Sequence, residues 1–164
     1  MSTTEPSPGP LTRVPMFPVK CVVVPIDFSE SSAAAVATAL GLVSNPADVH
    51  VLHAVLPSST FSPTGEWAPL REGEVVGTVS EHELAAFLGK HDFSGVTQAT
   101  EFGDPGSIVV AYARKHHADL IVVPSHGYHG IKRMIMGSVA EQILRHCECA
   151  VLVLHRNDNL VGST

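Results

Sequence analysis

The sequence predicts an α/β fold: a doubly wound, flavodoxin-like five-stranded parallel sheet with helices on both faces. Three observations predict it. Short Val-rich runs alternate with helical patterns, as βαβ crossovers require. Most of the strand runs are rich in Val and Leu, as strands covered on both faces are. Helix-start signals follow the strand runs after only a few residues.

The elements follow in order. "KCVVVPID" (20–27) is a buried-strand run, and "SESSAAAVATALGLV" (29–43) is a helix with Ser29 as N-cap and Ala33, Val36, Ala37, Leu40 and Val43 at helical spacing. "DVHVLHAVL" (48–56) is the second strand. Residues 57–78 are rich in Pro, Ser, Gly and Glu, contain the only tryptophan, Trp67, and read as a long loop. Ser80 and Glu83 stand at capping-box spacing, so a short helix is expected from Ser80. "GVTQATEF" (95–102) is a more polar run suited to a sheet edge.

Asp104 and Pro105 then supply an N-cap and a first helical residue, and Ile108, Val109 and Tyr112 an apolar face. "DLIVVP" (119–124) is a strand, Ser138 and Glu141 form a second capping box, and "CAVLVLH" (149–155) is the last strand. Residues 1–18, with Pro6, Pro8, Pro10, Pro15 and Pro18, read as a disordered arm. Residues 19–155 form the domain, and 156–164 a flexible tail.

The whole chain has 164 residues and a formal charge of −6, which argues against nonspecific nucleic-acid binding. Three cysteines make no disulfide framework, no apolar run reaches membrane length, and no signal-peptide pattern opens the chain. A soluble cytoplasmic protein is expected, with no membrane and no nucleic-acid partner.

In a doubly wound sheet ligands bind beyond the C-terminal strand ends. That places "PIDFSES", the start of the long loop after the second strand and "PSHGYHG" at the expected site. Gly127, Gly130 and Gly137 permit turns and close approach, and Gly137-Ser138 opens a helix whose first amides could take a phosphate. A glycine and a serine can equally do no more than turn and cap. Asp27 could accept from a ribose or hold a hydrated Mg²⁺, or it could serve only as an acid at a helix start.

The segments "VVVPIDFSESSAAAVATAL", "VHVLHAV", "GDPGSIVVAYARKHHADLIVV" and "SHGYHGIKRMIMGSVAEQILRHCECAVLVL" together resemble a universal stress protein domain over about residues 19–155. The nucleotide-binding branch of that family carries Gly, two residues, Gly, nine residues, then Gly with Ser or Thr. Gly127, residues 128–136, Gly137 and Ser138 match, while the first glycine is replaced by Pro124.

The resemblance implies a homodimer pairing through the last strand, Ala150 to His155, and binding of ATP, or ADP or AMP, with Mg²⁺. It implies nucleotide contacts from Pro25, Asp27, Ala54, Ser125, His126, Gly127, Gly137, Ser138 and Val139. Of these, Asp27 lies toward the ribose and the metal-bound phosphates, the Ala54 backbone toward adenine, and Gly127, Gly137 and Ser138 toward the phosphates. Pro124 removes one amide but leaves most of the donors downstream, so nucleotide binding is expected to persist with altered strength. The implied role is a stress-associated signalling or regulatory module. The alternative is a divergent member that binds no nucleotide and acts as a protein-interaction module.

Other chemistries fare less well. His126 with His129, His116 with His117, and the group His146, Cys147, Cys149 and His155 concentrate metal ligands, yet Cys147-x-Cys149 is a poor zinc chelate. Cys147 and Cys149 are read as partly buried packing residues. "HGYHG" has the wrong residue order and follows the wrong strand for a nucleotidyl-transferase signature. No catalytic residue is assigned, though slow ATP hydrolysis or autophosphorylation is compatible with nucleotide binding.

Overall fold

In the computed structural model, residues 19–56, 76–125 and 137–155 are described. The expected arm (1–18), tail (156–164) and loop segment 57–75 lie outside them. Five strands, β1 (Val22–Ile26), β2 (Val49–Val55), β3 (Thr97–Phe102), β4 (Leu120–Pro124) and β5 (Ala150–Leu154), form one parallel sheet in the order β3-β2-β1-β4-β5. The helices are α1 (Glu30–Leu40), α2 (Val76–Lys90), α3 (Pro105–Lys115) and α4 (Ser138–His146).

Side chains alternate across each strand and so divide the core in two. Val22, Val24 and Ile26 of β1 join Ala33, Val36 and Ala39 of α1 and Leu84, Phe87 and Leu88 of α2 on one face. Val23, Leu52, Ile121 and Val123 join Val109 and Tyr112 of α3 and Ala140 and Ile143 of α4 on the other. Burial on both faces explains the unbroken apolar runs of β1 and β4, while β2 admits the half-buried His50 and His53. The weakly apolar β3 is an edge strand, as its composition predicts, and β5 is the other edge.

Helix starts test the capping signals residue by residue. Ser29 caps α1, its Oγ accepting from Ser32 N at 3.2 Å, and Asp104 caps α3 with Pro105 next in line. The other two capping boxes are corrected. α2 begins at Val76, so Ser80 and Glu83 lie inside the helix; their spacing is also that of neighbours on one helical face. The N-cap of α4 is Gly137, with no side-chain cap, so Ser138 is the first helical residue. Glu141 instead pairs with Arg145 one turn on, at 2.7 Å.

Beneath α3, His50 Nδ1 lies 3.0 Å from the Tyr112 hydroxyl, and the His116 ring stacks on Tyr112 at 4.1 Å. Burial, then the neighbouring His116, holds the His50 imidazole below its usual range, with Asp48 opposing. The fold therefore favours neutral His50, whereas the unfolded chain takes up its proton near the ordinary value of 6.5. The stability this group contributes is full above that pH and is lost as pH falls toward the depressed folded value. Urea midpoints from pH 8 to pH 5 should fall less steeply for His50→Gln than for the parent chain. Parallel curves would show that His50 does not carry this dependence.

Candidate functional site

The strand order reverses between β1 and β4: α1 leads from β1 toward β2, and α4 leads from β4 toward β5. A crevice at such a point is where open α/β sheets place ligands. Two prolines shape it. The β1–β2 register runs to Ile26↔His53, but the β1–β4 register covers only Val22↔Leu120 and Val23↔Ile121. Pro25 comes two residues beyond Val23 and has no amide to extend a ladder.

Pro124 belongs to the β4–β5 register, opposite Leu154, and Ser125 N donates to Leu154 O at 2.9 Å. Backbone groups alternate sides along a strand, so Pro124 presents its nitrogen toward β1, where no partner amide is required. The proline in place of a motif glycine thus sits beside the crevice without breaking the sheet.

At the end of β1, Asp27 Oδ1 accepts from Ser29 N (3.1 Å), Ser29 Oγ (2.6 Å) and Ser32 Oγ (2.7 Å). Asp27 N in turn donates to Ser32 Oγ at 3.0 Å. The carboxylate is thereby fixed against the first turn of α1. Phe28 takes a left-handed φ of 64°, uncommon for a side chain of that size, and its ring lies 4.4 Å from His53 and 5.7 Å from Phe87. The His53 Nδ1 stands 3.3 Å from Ile26 O. Sequence reasoning missed Ser32, Phe28 and His53; the Asp-x-Ser-x-x-Ser spacing could have revealed Ser32.

Ala54 lies at the end of β2. Its neighbour Val55 gives its carbonyl to Gly103 N on the β3 side at 2.9 Å, so strand alternation turns the Ala54 backbone toward β1. Across the crevice, Gly137 N donates to Ser125 O at 2.9 Å, which seats the start of α4 beside the end of β4. The amides of Ser138, Val139 and Ala140 are first-turn groups with no intrahelical acceptor. Ser138 is exposed, while the Val139 side chain packs against the α3–α4 core. A Cβ on Gly137 would meet Ser125 O at 3.4 Å.

Ser125 is 2% exposed, and its Oγ has no hydrogen-bond partner among the described residues. It lines a cleft of about 180 Å³ between the first turn of α1 (Glu30, Ser31, Ala34) and the ends of β4 and β5. That volume is below the roughly 300 Å³ at which ligand pockets begin. His126 and Gly127 lie outside the described residues. The structure therefore brings Pro25, Asp27, Ala54, Ser125, Gly137, Ser138 and Val139 to one end of the sheet.

The Universal stress protein family model matches residues 18–155. The chain belongs to the universal stress protein family. Universal stress protein MJ0531 of Methanocaldococcus jannaschii is 30% identical over 142 residues, covering 84% of this chain and 82% of that one. Among solved structures, hypothetical protein MJ0577 superposes with a TM-score of 0.67 at 23% identity, covering 85% of this chain and 98% of its own. A universal stress protein crystallised in complex with cAMP superposes at 0.57 and 23% identity, covering 84% and 97%. The likenesses to solved structures establish the common fold.

Proposed function

We propose that this universal stress protein binds an adenine nucleotide, ATP or its ADP and AMP relatives, and acts as a homodimeric regulatory module in a stress response. The observation that carries the reading is the Gly137–Ser125 hydrogen bond. It seats the start of α4 beside the end of β4, and helix N-termini favour anions. A relative of the same fold crystallised with cAMP supports a ligand of this class.

The residues divide the work by chemistry. The amides of Gly137, Ser138 and Val139 and the Ser138 hydroxyl take phosphate oxygens, with Gly127 in the same loop. The Ala54 backbone meets the adenine edge, Pro25 borders the crevice, Ser125 lines it, and His126 follows Ser125 in the same motif. Asp27 lies nearest the ribose and, through water, a Mg²⁺ ion carried with the phosphates. That ion takes one or two carboxylates and keeps several waters, which a single fixed carboxylate flanked by serine hydroxyls fits.

Heat denaturation of the purified protein should release adenine nucleotide identifiable by mass spectrometry. Calorimetry with ATP, ADP and AMP, with and without Mg²⁺, should give a saturable isotherm for at least one. No heat at millimolar ligand together with no released nucleotide would leave the interaction-module reading.

The dimer reading rests on β5, an edge strand whose Leu152 is 36% exposed. A second copy pairing through Ala150 to His155 about a two-fold axis would cover it. Light scattering at micromolar concentration should give twice the chain mass. The proposed partners include neither nucleic acid, in keeping with the −6 charge, nor membrane; no helix among the described residues is long and apolar enough to cross one.

A further inference from the structure

The start of α4 is tied at two places. Gly137 N holds it to Ser125 O at the end of β4. One turn after Ser138, on the same helical face, Gln142 reaches across to the start of α3. Gln142 Nε2 donates to Asp104 Oδ2 at 2.7 Å and to Ser107 Oγ at 2.9 Å, which uses both of its hydrogens. Ser107 Oγ donates in turn to Asp104 Oδ2 at 2.8 Å, and Ser107 N adds a bond at 3.0 Å. The bonds from Ser107, then the one from Gln142, hold the Asp104 carboxyl below its usual range.

Gly106 makes room for this contact. It is buried within α3, and a Cβ there would meet Gln142 Cγ at 2.8 Å and the side-chain amide closer still. Glycine weakens a helix interior, so its use at this point is the space it leaves.

We propose that Gln142 is a positioning residue for phosphate recognition: clamped over Gly106 to Asp104 and Ser107, it fixes the direction of α4 and so where its first-turn amides sit. The role rests on the nucleotide reading and deepens it. α4 has nine residues and no side-chain N-cap, so the bond at Gly137 alone leaves it a pivot. Its buried residues, Ala140 and Ile143, supply apolar packing, which is not directional. A bond to a carboxylate is both strong and directional, and Gln142 supplies it. The attraction of a helix start for an anion is confined to the first turn, so a small rotation of α4 is felt there.

Adenosine separates this role from a general loss of stability, because it has the base and ribose but no phosphate. By calorimetry, Gln142→Ala should weaken ATP binding about tenfold and leave adenosine affinity within about twofold of the parent's. Gly106→Ala should weaken ATP binding by displacing the Gln142 side chain. Added to Gln142→Ala it should weaken binding no further, since the group it displaces is gone. Hydrogen exchange of the ligand-free chain needs no nucleotide: Gln142→Ala should speed exchange across residues 138–142 and leave residues 22–26 unchanged. Equal losses for ATP and adenosine, additive effects of the two substitutions, or α4 exchange at the parent's rate would each overturn the clamp. A parent chain that binds neither ligand would overturn the nucleotide reading and this role with it.

Discussion

Replacing Asp27 with alanine is expected to destabilise the fold by about 2–4 kcal/mol and to remove most of the nucleotide affinity. One carboxylate oxygen takes three hydrogen bonds from the start of α1, and one donor, Ser32, is fully buried. Removing the acceptor strands the Ser32 hydroxyl away from water, and hydrogen bonds to a charged partner are the stronger kind. Urea denaturation measures the first effect and calorimetry with nucleotide the second. Ser32→Ala removes one partner while sparing the carboxylate, so it should destabilise less and keep more of the binding. If Asp27→Ala unfolds at the parent's urea midpoint, the carboxylate does not organise the turn.

Ile143→Ala should cost about 2–5 kcal/mol, because Ile143 is completely buried between α4 and the sheet and its loss leaves a cavity. The functional consequence is specific. α4 has nine residues and carries the proposed phosphate amides at its first turn. Loosening its seat should therefore weaken the proposed nucleotide binding although the Ile143 side chain is buried in the core. Leu144→Ala, next in sequence but 41% exposed, should change stability by no more than about 0.5 kcal/mol. Thermal melts of the two variants side by side give the comparison. Equal losses would mean that α4 is not held by its buried face.

How far residues alone could be read depended on the reach of each signal. Strand and helix types were legible because burial on both faces of the sheet forces unbroken Val-rich runs. Ser29 and Asp104 were legible as caps because the cap, the first turn and the apolar face lie together in sequence. Ser138 was not, because the start of α4 is decided by a long-range bond, Gly137 N to Ser125 O, that no local pattern encodes. The start of α2 was misplaced for a related reason: Ser80 and Glu83 have the same spacing inside a helix as at its end.

The site was legible as a set of segments but not as a geometry. Asp27 drew attention as an acid at a strand end, yet its ties to Ser29 and Ser32 and the left-handed turn at Phe28 emerge only from the folded backbone. Pro124 read as a lost contact. In the fold it is also one half of a pair, for Pro25 stands on the facing strand and the ladder between them has already stopped.

That interrupted ladder makes the sheet two ribbons, β3-β2-β1 and β4-β5, stitched at one end and open like a forked twig at the other. Asp27 stands on one tine, and Ser125 with the seat of α4 on the other. A ligand spanning both would act as a splint across the fork, so occupancy would be felt as stiffness by the whole molecule. A regulatory module can use that mechanical difference as its output without any bond being made or broken.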